Sequence, residues 1–538
     1  MLGNILTGSL LEGFKMKVVS QEALSLIKTG KFVSIAGEQA IFFAIITDLK
    51  LEVSDPDILI FPPSKEESLL LEVLKKRGLH ATTELNLILM LDKRNRLMPV
   101  KMIPSHFAPV YEATEKEIAL IFGDEKDKSN NYFSIGSPLD MEVPVCLNLL
   151  KLTERSNGIF GKTGTGKTFL TRILLSGLIK QKKAVNLIFD MHSEYGLQSR
   201  SENKNGAFVK GLKTLFSDQV AIFSLDPAST KRRGGTPDSA ITLYYQDVSV
   251  EDVLSLSIEF NLHATAVEVA HLIAAKYKKN WLQALLESGE KLKEFAESIG
   301  AHPESVAALY RKLKRMERLP FFVKQKSDLI GATLHKKSVI DDMMSYIDRG
   351  INVIIEFGNY TSSFCYLLVA NIITRRIHSL YIKKTEKFLG TQRKDDQPKQ
   401  LMITIEEAHK FLNPQAAKQT IFGIIAREMR KYYVSLLVVD QRPSSIDQEI
   451  LSQIGTKIVA QLSDEKDVQA VLSGVSGAQK LRAILSTLET KKQALLLGHA
   501  VTMPVVVETR SYDESFYQSM TKETIQNKNA KVLIEEIF

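Results

Sequence analysis

The segment Gly161-Lys-Thr-Gly-Thr-Gly166-Lys167-Thr168 constrains this chain more than any other feature. It fills every defined position of a phosphate-binding loop. Apolar Gly158-Ile-Phe160 precedes it as a strand, and Phe169 to Lys180 continues it as a helix. Strand, glycine-rich turn and helix in that order aim several backbone N–H groups and the positive end of a helix dipole at a polyphosphate. Gly161, Lys162, Thr163, Gly164, Thr165 and Gly166 would form the cradle. Lys167 would reach the β- and γ-phosphates of ATP, and the Thr168 hydroxyl would bind Mg²⁺. A glycine-rich turn of chance origin is the alternative, and it leaves the correct flanks unexplained.

A loop of this kind belongs in a parallel α/β sheet, and the chain from about 146 onward alternates strands with longer helices accordingly. The apolar runs predict strands at 157–160, 185–190, 220–225, 351–356, 401–406, 434–440, 456–461 and 493–499. Between the third and fourth, roughly 249 to 348, the pattern is helical, opening on Ser249 with Glu251 and Asp252 in the first turn. Such a block reads as a helical bundle inserted into the α/β domain. Lys383 to Gln400 reads as a charged loop. The tail after Asp513 reads as helical or mobile.

Residues 1 to about 145 read differently. Lys31–Gly37, Ala40–Thr47, Ile58–Phe61, Leu85–Leu91 and Ile118–Phe122 look like short strands separated by Pro, Gly, Asp and Asn. A small barrel is expected, with one amphipathic helix near Glu66 to Arg77. No cluster of catalytic residue types occurs there, so assembly or docking is its expected role.

Three further strand ends carry chemistry. Leu401-Met-Ile-Thr-Ile405-Glu406-Glu407 is an apolar strand ending in two acids. A buried strand of a parallel sheet delivers its last side chains to the carboxyl edge, where ligands bind. Glu406 is expected to hold Mg²⁺ through water and Glu407 to polarise the attacking water; a helix start with acids in its first turn is the bland alternative. Val434–Gln441 ends in an amide suited to bonding both the γ-phosphate and the lytic water, or simply marks a strand exit before Arg442-Pro443. Val185–Asp190 places Asp190 at the same edge, as an orienter of the metal shell or water, or as a turn-initiating Asp. Arg427 and Arg430 share one face of a helix expected from about 415 to 432, opposite Ile421, Phe422, Ile425 and Met429. They are either solvated or aimed at a neighbouring subunit's γ-phosphate. Arg155 precedes the first strand as a weaker candidate.

Composition narrows the class. With 538 residues, 44% hydrophobic and 25% charged, two or three domains are expected. A net charge of +8 suits a polyanion without locating it. Two distant cysteines, Cys146 and Cys365, exclude a disulfide framework and point to a reducing, cytoplasmic setting. The ten histidines show no ligand spacing for zinc or iron. No apolar run approaches the roughly 20 residues that cross a bilayer, and Glu12, Lys15 and Lys17 interrupt any signal-like start. A soluble protein is expected.

The order Gly161–Thr168, Asp190-Met-His-Ser-Glu194-Tyr195, Glu406-Glu-Ala-His409, Arg427-Glu-Met-Arg430-Lys431 and Asp440-Gln-Arg-Pro-Ser444 resembles the HerA family of DNA-translocating ATPases, within the HerA/FtsK group. Gly30-Lys-Phe-Val33, Ile103–Pro109 and Ile135-Gly-Ser-Pro138 carry a similarity to that family's N-terminal barrel. The resemblance spans roughly 1 to 510. It implies an α/β fold: a RecA-like P-loop ATPase core at 146–248 and 349–512, an inserted helical bundle at 249–348, an N-terminal small β-barrel at 1–145 and a tail at 513–538. It implies a homo-hexamer with ATP between subunits and double-stranded DNA in a basic central channel. A nuclease such as NurA, or an effector of anti-phage defence, is expected to dock on the barrel. Arg430 matches the trans-acting arginine finger, and Arg155 a second arginine near nucleotide.

Three positions depart from the pattern. Met429 replaces a frequent Gly, Asp440 stands where small residues are common, and Glu406 stands where many P-loop ATPases have Asp. All keep the polar residues, so altered tuning is expected rather than lost activity. An ATP-driven duplex-DNA translocase is the leading reading. A nucleotide-gated scaffold that licenses a nuclease, and a conjugation or secretion ATPase, are the alternatives. Lys231-Arg232-Arg233 is a candidate DNA-contacting loop, with a solvated loop as its plain alternative.

Overall fold

The structure, a computed structural model, describes all residues except 54–59, 61–78, 128, 201–207, 255, 258–260, 325–337, 419, 429–430, 476 and 522–538. The helix expected near Glu66–Arg77, most of the strand expected at Ile58–Phe61, and the residues Met429 and Arg430 lie outside the described residues. The chain forms two compact units, 1–152 with 159–170 and 455–510, and 153–158 with 171–454 and 511–538. The chain passes between them inside the strand Asn157–Phe160 and again inside the helix Lys167–Gln181.

The first unit contains the expected barrel. Strands β1 (Gly3–Ser9), β2 (Gly13–Val18), β3 (Phe32–Ala36), β4 (Ala40–Val53), β5 (Leu79–Asp92), β6 (Leu97–Pro99) and β7 (Pro109–Glu112) pair in the order β2-β1-β7-β3-β4-β5-β6. Pairing of β2 with β5, Phe14 opposite Leu85, closes six of them into a ring and leaves β6 on the outside. Closure requires curvature, and β4 supplies it through register shifts at Phe43/Ala44 and Ile46/Asp48. Leu2, Ile5, Phe14, Met16, Val33, Ile35, Phe42 and Leu85 fill the interior.

The run Ile118–Phe122, expected as a strand, is instead the end of the helix Glu115–Phe122. Thr114 and Glu117 form a reciprocal capping box at its start, and Ile118, Ile121 and Phe122 bury one face at helical spacing. Local cap chemistry overrides the apolar run. The same unit holds the antiparallel strands Thr456–Val459, Gln493–Gly498, Val505–Thr509, Tyr132–Pro138 and Val145–Asn148, paired in that order. A continuous parallel alternation was expected through 456–499, but Thr456–Val459 and Gln493–Gly498 are antiparallel to each other although two helices connect them. The connection from Gly498 to Val505 is too short for a crossover, so the following pair is antiparallel as well.

The second unit carries the parallel sheet, in the order Ser239–Ala240, Val220–Ser224, Asn352–Glu356, Val185–Asp190, Leu401–Glu406, Val434–Asp440. Apart from the two-residue edge strand Ser239–Ala240, its strands are buried along their whole length, as a sheet covered on both faces demands. Between Leu243 and Val339 the described elements are mainly helical. Val250–Leu254 opens them, with Ser249 and Asp252 capping each other, and Trp281 is anchored to the Val248 carbonyl at 2.9 Å. The segment Lys383–Gln400 is not all loop: the helix Ser363–Thr391 runs through its first half. Tyr381 is buried and Phe388 meets Tyr433 edge to face at 6.2 Å, so apolar anchors every turn or two hold the charged stretch helical. No helix among the described residues is long and apolar enough to cross a membrane.

Candidate functional site

In the first unit the phosphate-binding loop has the backbone its sequence requires. Gly164 and Gly166 adopt φ of 78° and 89°, a region that L side chains avoid. At Gly161 an added Cβ would lie 2.7 Å from Thr165 Oγ1 and 2.9 Å from the Ala460 methyl, so the tight approach there also needs glycine. The Lys162 carbonyl organises the turn, accepting from Thr165 Oγ1 at 2.8 Å and from Lys167 Nζ at 2.9 Å. Lys162 itself bonds Gln461 through its N–H and Ser463 through its ammonium. Thr163 and Gly164 are exposed, and no atom lies within 4 Å of where a Cβ on Gly164 would sit. Thr168 follows Lys167 in the first turn of the helix.

The second unit brings the acidic candidates together at one edge. Register places Asp190 opposite Glu356 and Glu406 opposite Val439, so Glu356, Asp190, Glu406 and Asp440 end neighbouring strands in a row. Asp190 is fully buried. Its carboxylate accepts from the N–H groups of Glu194, Tyr195 and Gly196 at 2.7, 2.9 and 3.2 Å, fixing the turn that carries Tyr195. Burial, and then Glu356, push the Asp190 carboxyl up to about 7 against the pull of those three donors.

Tyr195 spans the row. Its hydroxyl donates to Glu406 Oε1 at 2.7 Å, while Tyr366 clamps the backbone N–H and C=O of Glu406 at 3.1 Å each. Burial pushes the Glu406 carboxyl up to about 8. Glu406 Oε2 is buried with no hydrogen-bond partner. An orphaned buried carboxylate oxygen suits a hydrated divalent cation, whose charge would draw the proton off. Magnesium therefore fits the residues present.

Glu407 turns away from the strand at φ 49°, a strained conformation for a residue with a Cβ. Gln441 Nε2 donates to its Oε1 at 2.7 Å. The two side chains expected to handle the lytic water are thus in contact. His409 and Asp440 flank them, with His409 Nδ1 2.9 Å from Asp440 Oδ2 and Nε2 3.8 Å from Glu407 Oε2.

The arginines divide. Arg155 and Arg427 line one cleft of about 500 Å³ in the second unit, with Glu154, Ser156, Glu428, Lys431 and Gln453. Arg155 Nε is buried without a hydrogen-bond partner, and Arg427 reaches the Ala417 carbonyl at 3.3 Å. The helix bearing Arg427, Ile421–Glu428, buries Ile421, Phe422 and Ile425 as expected. Lys231 and Arg232, expected in a loop, are instead exposed in the last turn of the helix Pro227–Arg232, which Asp226 caps and Pro227 starts, and Arg233 just past it turns inward to pair with buried Glu356 at 2.6 Å.

Sequence reasoning assigned no role to Tyr195, Tyr366, His409 or Glu356, and offered Arg233 to DNA rather than to Glu356. Tyr195 and His409 stand inside the quoted motifs, which is the signal that marks them; Tyr366 and Glu356 carry none.

The family model described as "Helicase HerA, central domain" matches residues 133–377. The DNA double-strand break repair helicase HerA of Sulfurisphaera tokodaii is 27% identical over 491 residues, covering 87% of this chain and 86% of that protein. The DNA double-strand break repair helicase HerA of Pyrococcus furiosus is 23% identical over 445 residues, covering 78% and 76%. Among solved structures, VirB4 of Thermoanaerobacter pseudethanolicus aligns at 14% identity and a TM-score of 0.46, covering 72% of this chain and 98% of that one.

Proposed function

Because the chain belongs to the HerA family of helicases, we propose that it assembles as a homo-hexamer and drives double-stranded DNA through a central channel. It is an ATP-hydrolysing enzyme of the helicase and translocase class. The relatives from Sulfurisphaera tokodaii and Pyrococcus furiosus are DNA double-strand break repair helicases, and DNA is the polyanion its net charge of +8 would meet. A nuclease or other effector docking on the barrel would use the DNA so delivered, in end processing or anti-phage defence.

In this reading Gly161 to Thr168 hold the polyphosphate, with Lys167 on the β- and γ-phosphates. Glu406 and Thr168 take Mg²⁺, Glu406 through water. Bound there, magnesium supplies charge neutralisation on the phosphate oxygens. Glu407 accepts the proton of the attacking water, and Gln441 orients that water and reports the γ-phosphate to the strand behind it. Asp190 holds the turn that supports Glu406. By the resemblance, Arg430 acts on a neighbouring subunit's nucleotide and Arg155 lies near nucleotide. The single observation that carries the hydrolytic part is the contact of Glu407 with Gln441 at the carboxyl end of adjacent parallel strands.

The test is ATPase turnover of the wild type and Lys167→Ala, with and without long duplex DNA at low salt. Stimulation by DNA in the wild type, steeply lost as salt rises, and no turnover in the variant support the motor. Turnover indifferent to DNA would replace it with the nucleotide-gated scaffold. Native mass of the assembled protein tests the ring.

A further inference from the structure

Asp440 departs from the small residue frequent before the Gln, and the structure gives that departure a use. Its carboxylate is fully buried and makes four contacts with neighbouring groups. It accepts from the His409 backbone N–H at 2.6 Å and from the Arg442 N–H at 2.7 Å, and it meets His409 Nδ1 at 3.1 Å through Oδ1 and 2.9 Å through Oδ2. A carboxylate on Nδ1 takes the proton there and fixes the ring's orientation, which decides what the other nitrogen can do.

That other nitrogen faces Glu407. Nε2 lies 3.8 Å from Glu407 Oε2, within ion-pair range but beyond a hydrogen bond, while Oε1 is held by Gln441 at 2.7 Å. The Glu407 carboxylate is therefore bracketed, one oxygen by an amide and the other by an imidazole. The bracket sits at a strained point of the chain, since Glu407 stands on a backbone at φ 49°. Asp440 also raises the basicity of the imidazole, which favours the charged ring beside the carboxylate.

We propose that His409, oriented by Asp440, is a positioning residue for ATP hydrolysis: it holds Glu407 Oε2 so that the carboxylate meets the lytic water in one orientation. The inference rests on the assignment of Glu407 to that water. It makes His409 and Asp440 one unit with Glu407 and Gln441, drawn from two adjacent strand ends.

Two near-isosteres of histidine separate positioning from mere structural support. In His409→Asn the amide mimics Nδ1, keeps Asp440 satisfied and leaves Glu407 without its neighbour. In His409→Gln the amide mimics Nε2 and keeps the contact with Glu407. The experiment measures kcat, KM for ATP and Tm for both, beside the wild type and Glu407→Gln. We expect His409→Asn to retain the wild-type Tm and KM but lose on the order of 10-fold in kcat, with His409→Gln recovering most of it, and Glu407→Gln to be inactive. Should kcat follow the opposite order, with His409→Asn as active as wild type and Glu407→Gln dead, the positioning role alone is overturned. Turnover by Glu407→Gln would instead remove the assignment beneath it, and the inference with it.

Discussion

The Tyr195 hydroxyl donates to Glu406 Oε1 at 2.7 Å, and both groups are buried. Burial and the adjacent carboxylate hold the phenol above its ordinary pKa, so it is a donor at any working pH. Tyr195 in turn stands on a turn whose N–H groups are taken by Asp190. Asp190 thus acts on the acidic strand through Tyr195 rather than by pointing at water itself.

Removing the hydroxyl in Tyr195→Phe leaves both Glu406 oxygens without a protein donor in a buried site. Such an orphaned acceptor costs about 1–3 kcal/mol, read as a lower midpoint in urea. The loss of a group that orients a proposed metal ligand is expected to weaken the Mg²⁺ dependence of ATPase turnover by about 10- to 100-fold. An unchanged Mg²⁺ titration with lowered stability would confine Tyr195 to the fold.

Arg233 and Glu356 supply a second case of partners that no local sequence signal joins. Glu356 is fully buried, and its Oε2 accepts from Thr230 at 2.9 Å and pairs with Arg233 at 2.6 Å. Breaking such a pair from the exposed side strands an ionised carboxylate. Arg233→Ala is therefore expected to cost about 3–5 kcal/mol, whereas Lys231→Ala and Arg232→Ala, both exposed, should stay within about 0.5 kcal/mol. Chemical denaturation of the three variants decides it. Equal effects would return Arg233 to the solvated loop.

These two pairs also show what the chain's order made legible. The phosphate-binding loop is local chemistry: glycines at Gly164 and Gly166 announce a left-handed backbone, and the φ values of 78° and 89° follow. Buried strands are equally visible, because a parallel sheet covered on both faces needs unbroken apolar runs such as Val220–Phe223. Contacts between distant residues are not. Tyr195 and Glu406 are separated by 211 positions and Arg233 and Glu356 by 123, and no pattern along the chain joins them. The run Ile118–Phe122 misled because five consecutive apolar residues fit a strand or a helix turn, and the decisive Thr114–Glu117 cap lies outside the run. The segment after Lys383 misled for a related reason: its charges face outward on a helix whose anchors, Tyr381 and Phe388, are widely spaced.

Gln441 offers a test that does not touch the carboxylates. Its amide is the donor to Glu407 Oε1 at 2.7 Å, and in the proposed reaction it orients water and senses the γ-phosphate. Gln441→Ala is expected to lower kcat on the order of 100-fold, as removal of a preorganised donor does, while leaving nucleotide affinity near the wild-type value. Turnover and equilibrium binding of a fluorescent ATP analogue measure the two separately. Loss of binding equal to the loss of turnover would mean that the amide merely helps to hold the nucleotide.

Lys457 yields a pH prediction away from the nucleotide. It is buried in the strand Thr456–Val459, and its ammonium donates to the carbonyls of Val471 at 2.9 Å and Ser473 at 3.4 Å. Burial pushes its pKa down from 10.5 to about 8. Below about 8 the lysine is charged in the native and the unfolded chain alike, and the native state bears the full cost of a buried ammonium. Between about 8 and 10.5 the unfolded chain holds a proton that the native state has released, so stability rises with pH through that window and not beyond it. In Lys457→Met this titration is gone, although the two carbonyls lose their donor by an amount that does not vary with pH. The stability of the wild type relative to Lys457→Met is therefore expected to grow by about 1–3 kcal/mol between pH 7.5 and pH 10, measured as the difference in urea midpoints. A difference that stays constant across the two pH values would mean that Lys457 keeps its proton in the folded protein, held by the carbonyls at the end of the helix Glu465–Leu472.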